Sequence, residues 1–504
     1  MHFSVFKFCK NKTILFVLLF FCVSSEFIGI SLIYPFIVIF FDLEIENIAI
    51  LNLVFQYLKN FSVELSKYNI LGLILSFFIF NAIFLLIYRY LITMNGLEFM
   101  NFLRTQIYYK TFESEYKNSS KKISKIYNSI TLQSLEAGNA LMLQFQILET
   151  LISLLIILIL SLFISIKITI LSFIIGIIFF LSLSFTLYIS KKYGRERYEY
   201  NESLYKNLNI AFQNIRYLKA INTFNNFFIK IKPTLTNILN THIKFTMLSK
   251  GTKILNEPLV LICLAIILFI SIRYFNTDTG IIIVILAILR RMYSKIVSII
   301  SSLQQYNREI VSYKYCNDLI NNLKKTRESN ENNKYLGLQQ NITINNLTYN
   351  NGNENLYENT SIKFLKNKTT LIYGKSGTGK STLLNIILGL IKIKSGQIYF
   401  DENEINVLDK NSIRKNIGFV NQEPVIFNLS LRENLKIRNQ FIKEERIYNF
   451  LKLFSLNTLV NKNKNNLNFA VDEKSSNLSG GEKQRIAFIR EVIFEPEILI
   501  LDEP

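Results

Sequence analysis

Charged residues are scarce in this sequence, and acidic residues are the scarcer kind. Asp, Glu, Lys and Arg make up 19% of the 504 residues, whereas 50% are hydrophobic. This composition excludes an ordinary soluble globular protein. The 57 Lys and Arg residues outnumber the 37 Asp and Glu residues, which gives a formal net charge of +20 at pH 7. Such an excess is typical of nucleic-acid binding, or of a membrane protein with Lys and Arg on its cytoplasmic side.

Cysteine is also rare, and its spacing excludes two further classes of protein. The four cysteines are Cys9, Cys22, Cys263 and Cys316, and they are spaced neither as a disulfide framework nor as a metal site. We therefore predict free, unreactive thiols.

Long apolar runs decide between nucleic acid and membrane. The first run follows Lys7, Lys10 and Lys12 and is too long for the apolar core of a cleaved signal peptide, which has about 7–15 residues. A transmembrane helix needs about 20 residues, and six runs meet that requirement. The sequence therefore predicts six transmembrane helices, at residues 13–41, 69–92, 141–166, 168–189, 254–275 and 280–300.

The connections between these runs differ in charge. Residues 93–140 and 190–253 are long, polar and rich in Lys and Arg, whereas residues 42–68 carry more acidic than basic side chains. Positively charged connections stay in the cytoplasm. We therefore expect a multi-pass protein of the cytoplasmic membrane with a cytoplasmic N-terminus. Residues 198–231 contain no Gly or Pro and have apolar residues at helical spacing, which predicts helices that extend well into the cytoplasm.

Three of the charged residues inside the predicted spans are candidates for a functional role. Glu26 either forms a hydrogen bond that locks helix packing or contacts a substrate or gate, because a charge facing lipid is costly. Arg290 and Arg291 lie in the sixth span, where a guanidinium that faces a cavity suits bidentate capture of phosphate. Alternatively, the sixth helix is already leaving the membrane there. The first alternative predicts an anionic, phosphate-bearing substrate.

A phosphate-binding motif begins after residues 369–373, which we predict to form a short strand. The motif has the pattern G-x-x-x-x-G-K-S and leads into an apolar helix at 382–390. Its glycines let backbone N–H groups surround the phosphates, Lys380 reaches the β- and γ-phosphates, and the Ser381 hydroxyl binds Mg²⁺. The predicted ATP-binding residues are Gly374, Lys375, Ser376, Gly377, Thr378, Gly379, Lys380, Ser381 and Thr382.

Two acidic residues follow the last apolar segment of the chain. Residues 498–501 are predicted to form a second, parallel strand of a P-loop nucleotidase. Asp502 at its tip would hold Mg²⁺, and Glu503 would polarise the water that attacks the γ-phosphate.

The segment LSGGEKQR, at residues 478–485, resembles the signature motif of ABC ATPases. The resemblance implies that Ser479, Gly480 and Gly481 face the ATP of a partner, so that two ATP molecules lie between two such domains. It also implies further roles for single residues. Gln422 would be the Q-loop glutamine that contacts Mg²⁺, and Glu473 would be the acidic residue before the signature. Tyr349 would be the aromatic residue stacked on adenine, although the register of the motif points to Asn351 for that position.

The chain as a whole resembles an exporter-type ABC half-transporter. The resemblance implies a multi-domain fold: an all-α six-helix transmembrane domain (1–303), a linker (304–340) and an α/β P-loop ABC ATPase domain (341–504), incomplete. Coupling helices are expected at 130–136 and 215–220. The later part of the first span resembles the oligosaccharide-lipid flippase branch. We therefore expect a homodimer or heterodimer that uses ATP and Mg²⁺ to export or flip a lipid, a lipid-linked glycan or another amphipathic molecule.

Family members continue past the two acids, through a loop with an Asp and a strand that ends in a switch histidine. The histidines here are His2 and His242, and neither fits that position. The resemblance thus implies a fragment that, as written, hydrolyses ATP poorly or not at all. Two alternatives stay open: a peptide or drug exporter of the same build, and a non-hydrolysing partner subunit. The apolar runs disfavour a soluble ABC ATPase acting on nucleic acid.

Overall fold

The structure is a computed structural model that describes residues 11–40, 66–275, 279–328, 333–351, 354–463, 466–471 and 478–503. The chain divides into two compact units. The helical unit comprises Met1–Phe112 and Lys121–Lys325. The C-terminal unit comprises Thr326–Pro504 together with Glu113–Ser120, a short segment of the first long polar connection.

Long helices account for most of the described chain up to Lys325. In chain order they are α1 (Lys12–Ser31), α2 (Ile33–Phe40), α3 (Lys67–Glu113), α4 (Tyr116–Ser120), α5 (Ile123–Asn128), α6 (Ser134–Ile164), α7 (Ile166–Gln213), α8 (Ile215–Ala220), α9 (Phe224–Phe275) and α10 (Thr279–Lys325). A π-helical turn, Ser129–Gln133, joins α5 to α6. With 47 residues, α3 is about 70 Å long at 1.5 Å per residue, more than twice the roughly 30 Å hydrocarbon core of a bilayer. A helix of this length is long enough to extend well beyond a membrane. The sequence predicted such extended helices for residues 198–231.

Several of these helices are apolar enough to cross a membrane. By length and composition, the described residues contain four such stretches and one shorter apolar helix. They are Lys12–Ile37, Lys67–Glu113, Ile123–Ile164 and Phe224–Tyr274, with Ile166–Ile178 as the shorter helix. The six-span topology stays a prediction.

Large apolar side chains are exposed along these helices. Examples are Leu86 (70% exposed), Phe185 (69%) and Phe269 (65%). Contiguous exposed apolar surface of this kind is unusual for soluble monomers and marks contact with lipid or with other protein.

The long polar connections differ in part from expectation. Ile215–Ala220 is a separate short helix, at the position predicted for a coupling helix. Residues 130–136 do not form a separate helix, because the π-turn continues directly into α6. The first connection instead has short helices at Tyr116–Ser120 and at Ile123–Asn128, and the second of these leads into the π-turn. The predicted linker is also partly helical, since α10 continues to Lys325.

Two glycines allow α3 and α6 to approach closely. A Cβ on Gly138 would lie 2.7 Å from the carbonyl oxygen of Gly96, which is backbone and cannot rotate away. A Cβ on Gly96 would collide with the side chain of Met142. The contact therefore needs glycine at position 138, whereas a Cβ at position 96 would require the Met142 side chain to move.

We expect Gly138→Ala to destabilise the protein. The added methyl group would push α3 and α6 apart, and overpacking of this kind costs about 1–3 kcal/mol. The measurement is the midpoint of thermal unfolding in detergent. Gly72→Ala is the matched control, because Gly72 also lies in a helix but a Cβ there has no neighbour within 4 Å. Equal midpoints for both variants would contradict the close approach.

The C-terminal unit combines strands with short helices. Its strands are β1 (Asn341–Asn351), β2 (Glu354–Leu365), β3 (Ser395–Phe400), β4 (Asn403–Glu404), β5 (Ile417–Val420), β6 (Leu429–Ser430), β7 (Ala470–Val471) and β8 (Ile498–Leu501). Its helices from residue 380 onwards are α11 (Lys380–Ile387), α12 (Lys410–Lys415), α13 (Leu431–Lys436), α14 (Glu444–Leu453), α15 (Asn457–Lys462) and α16 (Gly480–Val492).

The strands form one antiparallel sheet and two pairs. The antiparallel sheet has the order β2-β1-β3-β4, and β6 pairs with β7. β5 and β8 are parallel, with Val420 opposite Leu501, so 498–501 is the parallel strand that was predicted. The predicted strand at 369–373 does not form: no described strand pairs with it, and Leu371 and Tyr373 are 81% and 89% exposed.

Candidate nucleotide-binding site

The loop before α11 has the conformation that its glycines predict. Gly377 and Gly379 have positive φ angles of 85° and 95°, which side-chain-bearing residues rarely adopt. Gly379 is the N-cap of α11, and Tyr357 approaches it so closely that a Cβ would lie 3.2 Å from the phenolic oxygen. The loop thus leads directly into the N-terminus of α11. Backbone N–H groups and the helix dipole favour an anion there.

Lys380 lies over this loop. Its Nζ atom donates to the carbonyl oxygens of Gly374 at 2.9 Å and Lys375 at 3.1 Å. The Thr378 hydroxyl also donates to the Lys375 carbonyl, at 2.9 Å. The remaining motif residues, Ser376, Ser381 and Thr382, lie in the loop or in the first turn of α11. The ammonium group and the loop backbone thus share one place in the fold.

The two acids after β8 each contact another predicted site residue. Ser381 Oγ donates to Asp502 Oδ1 at 3.0 Å, and Gln422 Nε2 donates to Glu503 Oε2 at 2.6 Å. Gln422 follows β5 and the acids follow β8, and carboxyl ends of neighbouring parallel strands meet at one edge of a sheet. Four predicted site residues, distant in the sequence, therefore lie in two contacting pairs.

This group of side chains fits a magnesium nucleotide. A hydroxyl, a carboxylate and an amide oxygen are hard oxygen ligands of the kind that Mg²⁺ takes, usually with phosphate and water as the remaining ligands. Ser381, Asp502 and Gln422 supply those three groups, while Lys380 and the loop N–H groups supply the positive partners for phosphate. The four residues are exposed or partly exposed, so a ligand has access.

The signature residues begin α16. Ser479 is the N-cap: its side chain accepts from the N–H of Glu482, and the Glu482 carboxylate accepts from the N–H of Ser479 at 2.7 Å. That N–H lowers the pKa of the Glu482 carboxyl group. A Cβ on Gly480 or Gly481 would have no neighbour within 4 Å. The helix N-terminus is therefore capped on one side and open on the other. The sequence analysis missed the capping role of Glu482, although S-x-x-E at 479–482 signals it.

The structure corrects the predicted adenine contact. Tyr349 is 8% exposed and packs inside the core of the antiparallel sheet, so it offers no ring face to a base. Its alternative, Asn351, has a side chain outside the described part of the chain. An aromatic side chain that contacts the phosphate-binding loop is that of Tyr357, whose hydroxyl donates to the Gly379 carbonyl at 2.9 Å. This contact could not be predicted from the sequence, because Tyr357 lies in β2 and its partner lies 22 residues further along the chain. Glu473 also lies outside the described residues.

A second group of charged side chains lies in the helical unit. Glu26 Oε1 accepts two bonds from the Arg291 guanidinium, at 2.7 and 2.9 Å. Glu26 Oε2 accepts from Ser153 at 2.8 Å and from Lys295 at 3.3 Å. These bonds join α1 to α6 and α10. They support the packing role of Glu26 over the substrate role.

The neighbouring arginine has different surroundings. Arg290 is exposed and has no ion-pair partner among the residues that the structure describes. It lines a cavity of about 880 Å³ together with Lys253, Glu257 and apolar side chains such as Leu264. Adjacent helix positions point about 100° apart, so one arginine can pair with Glu26 while the other faces the cavity.

The thiols match their prediction where they are described. Cys22, Cys263 and Cys316 are free, and Cys22 and Cys316 are buried. Cys9 lies outside the described residues.

The phosphate-binding loop, the paired acids and the signature helix define the C-terminal unit as an ABC ATPase domain. Residues 357–504 match the family model described as ABC transporter. The predicted fold class, long apolar helices followed by an α/β ABC ATPase domain, is thereby confirmed.

Curated relatives share this similarity over part of their length. The chain is 32% identical over 228 residues to the multidrug resistance-like ATP-binding protein MdlB of Buchnera aphidicola subsp. Schizaphis graminum, which covers 45% of the chain and 39% of MdlB. It is 31% identical over 148 residues to ABC transporter B family member 14 of Arabidopsis thaliana, covering 29% of the chain and 12% of that protein. It is 33% identical over 148 residues to the leukotoxin translocation ATP-binding protein LktB of Mannheimia glucosida, covering 29% of the chain and 21% of LktB.

The similarity covers only part of the length of each relative. The matches span 39% or less of the length of these three relatives. The 228 residues matched to MdlB outnumber those from 357 to 504, so this similarity extends outside the ATPase match.

Proposed function

We propose that this chain is a subunit of an exporter-type ABC transporter that uses ATP to move an amphipathic substrate across a membrane. The observation that carries the proposal is the pairing of Ser381 with Asp502 and of Gln422 with Glu503 beside the phosphate-binding loop. Helices long and apolar enough to span a membrane precede this site in the same chain. We place the N-terminus and the ATPase domain in the cytoplasm, because the connections rich in Lys and Arg stay on that side.

In this proposal the chain's residues divide the work of ATP hydrolysis. Lys380 and the loop N–H groups bind the β- and γ-phosphates, while Ser381, Asp502 and Gln422 hold Mg²⁺, which neutralises phosphate charge when bound. Glu503 orients the attacking water and accepts its proton. Gln422 donates to the Glu503 carboxylate and thereby orients it. The open N-terminus of α16, with Ser479, Gly480 and Gly481, binds the ATP held by a second subunit.

The substrate that we propose carries an anionic, phosphate-bearing headgroup, as in a lipid-linked glycan. The support is the cavity that Arg290 lines, because its walls are mostly apolar and its cations exceed its acids. Arg290 and Lys253 are its basic residues and Glu257 its acidic one. An apolar cavity with a guanidinium suits an amphipathic molecule with a phosphate. The names of MdlB, a multidrug resistance-like protein, and of LktB, a leukotoxin translocation protein, favour a second candidate, a drug or peptide exporter.

Arg290→Ala tests the anionic substrate. We expect it to lower the stimulation of ATPase activity by a pyrophosphate-linked glycolipid about tenfold or more, because one charged hydrogen bond contributes about 1.5–3 kcal/mol. The basal activity should stay unchanged. Arg273→Ala is the matched control, since Arg273 lies in the last turn of α9 and does not line this cavity. Undiminished stimulation of Arg290→Ala, or stimulation by neutral or cationic compounds alone, would contradict an anionic substrate.

A further inference from the structure

A short clip ties the end of α3 to the chain that follows α10. The clip consists of residues 113–115 and 326–328, both within the C-terminal unit. Ser114 and Arg327 form an antiparallel bridge. On either side of it one backbone N–H donates to a carbonyl oxygen at 2.9 Å, from residue 115 to 326 and from residue 328 to 113. The first residue of the clip, Glu113, is also the last residue of α3.

One side chain of the clip binds an arginine. Arg414 Nη1 donates to Glu328 Oε2 at 2.8 Å, and Arg414 Nη2 donates to Glu328 Oε1 at 3.2 Å. The Glu328 side chain is 10% exposed and that of Arg414 is 25% exposed. Two parallel bonds in a mostly buried setting hold both groups in one orientation.

The same arginine holds the end of the phosphate-binding helix. Arg414 Nε donates to the carbonyl oxygen of Leu388 and Nη2 to that of Gly389, each at 3.0 Å. These are the carbonyls that follow α11, where the helix dipole favours a cation. The helix has eight residues, and Lys380 of the phosphate-binding loop is its first. One arginine therefore contacts both the clip and the far end of the helix that begins at the ATP site.

Glu328 and Arg414 also lie near other charged side chains, among them Lys410. Burial lowers the pKa of Lys410, and the nearby Arg414 and Lys392 lower it further, whereas Glu328 and Glu115 raise it. The Glu328 carboxylate therefore offsets part of the repulsion among the cations of Lys392, Lys410 and Arg414.

We propose that Glu328 and Arg414 are positioning residues that couple nucleotide binding at the phosphate-binding loop to the clip at the end of α3. Phosphate bound at the N-terminus of α11 fixes this short helix, and with it the two carbonyls that Arg414 holds. Arg414 then fixes Glu328 and the two hydrogen bonds of the clip. The coupling is reciprocal, as every linkage between binding sites must be. This inference rests on the proposed binding of ATP.

Hydrogen exchange tests the coupling. The probe is the non-hydrolysable nucleotide AMP-PNP with Mg²⁺, and the readout is exchange of the backbone N–H groups of Glu115 and Glu328, which donate across the clip. We expect bound nucleotide to slow this exchange by roughly 5-fold or more, the lower range of allosteric couplings. Glu328→Gln and Arg414→Lys should lose most of that effect, because an amide or an ammonium cannot form the bidentate ionic pair.

A matched variant separates coupling from a general loss of charge. Glu444→Gln removes the acid of an exposed pair with Arg432 in the same unit, and it should keep the nucleotide-dependent protection. Variants that keep the full protection, or a wild-type clip that does not respond to bound nucleotide, would overturn the coupling alone. Absence of AMP-PNP binding to the wild-type protein would instead overturn the proposed function. Arg414→Lys retains a cation at the helix end, so the test remains available if Glu328→Gln does not fold.

Discussion

Replacing Lys380 with alanine is expected to abolish tight ATP binding. The Lys380 ammonium lies over the loop, held by the carbonyl oxygens of Gly374 and Lys375. When ATP binds, the Lys380 ammonium can exchange those carbonyl oxygens for the oxygens of the β- and γ-phosphates. A hydrogen bond from the Lys380 ammonium to phosphate contributes about 1.5–3 kcal/mol, so the loss of one such bond raises Kd about 10-fold or more. Equilibrium binding of a fluorescent ATP analogue measures it.

A neighbouring lysine provides the control for this variant. Lys375 lies in the same loop and contributes its backbone carbonyl to Lys380 and Thr378, while its own side chain is exposed. Lys375→Ala should therefore bind ATP almost as the wild-type protein does. Equal losses in the two variants would mean that net charge, rather than the position of Lys380, determines binding.

Glu503→Gln is expected to keep ATP binding and to lose hydrolysis. Glutamine preserves the size of the side chain and a contact with Gln422, but it cannot accept a proton from water. General-base catalysis contributes about 10²–10⁴-fold to a rate, so the turnover number should fall by that factor. The measurement is phosphate release at saturating ATP in the native full-length polypeptide, with Kd determined in parallel.

An adjacent acid serves as the control. Glu423 is exposed and follows Gln422 directly, so Glu423→Gln removes the same charge from the same edge of the sheet. This variant should hydrolyse ATP at close to the wild-type rate. A Glu503→Gln protein with normal turnover would show that another group accepts the proton.

The ATP site could be predicted from the sequence because its residues are fixed by local pattern and strand direction. Gly377 and Gly379 have the positive φ angles that the loop requires. Glu503 meets Gln422 because β8, which it follows, is parallel to β5, and the tips of parallel strands share an edge. The prediction that Tyr349 contacts adenine was wrong, because Tyr349 is buried in the core of the antiparallel sheet. Its burial depends on the packing of the whole sheet, which the spacing of residues along one strand does not reveal.

Contacts between segments that are distant in the chain could not be predicted from the sequence. The cost of a charge in a membrane span predicted that Glu26 has a partner, but not that the partner is Arg291, 265 residues away. The clip at Ser114 and Arg327 depends on backbone hydrogen bonds, which any residue except proline can donate. Such a pairing leaves no trace in residue type. The strand expected at 369–373 shows the same limit, because strand propensity forms a strand only where a neighbour pairs with it.

The central claim is that two copies of the ATPase domain hold ATP between the phosphate-binding loop of one and the signature helix of the other. Ser376→Cys together with Ser479→Cys, in the Glu503→Gln protein, tests it most directly, because both residues are exposed and belong to the two proposed halves of one site. We expect an oxidative cross-link between two chains that requires Mg²⁺ and ATP and is absent when either cysteine is omitted. Nucleotide-bound protein that forms no such cross-link would contradict the claim.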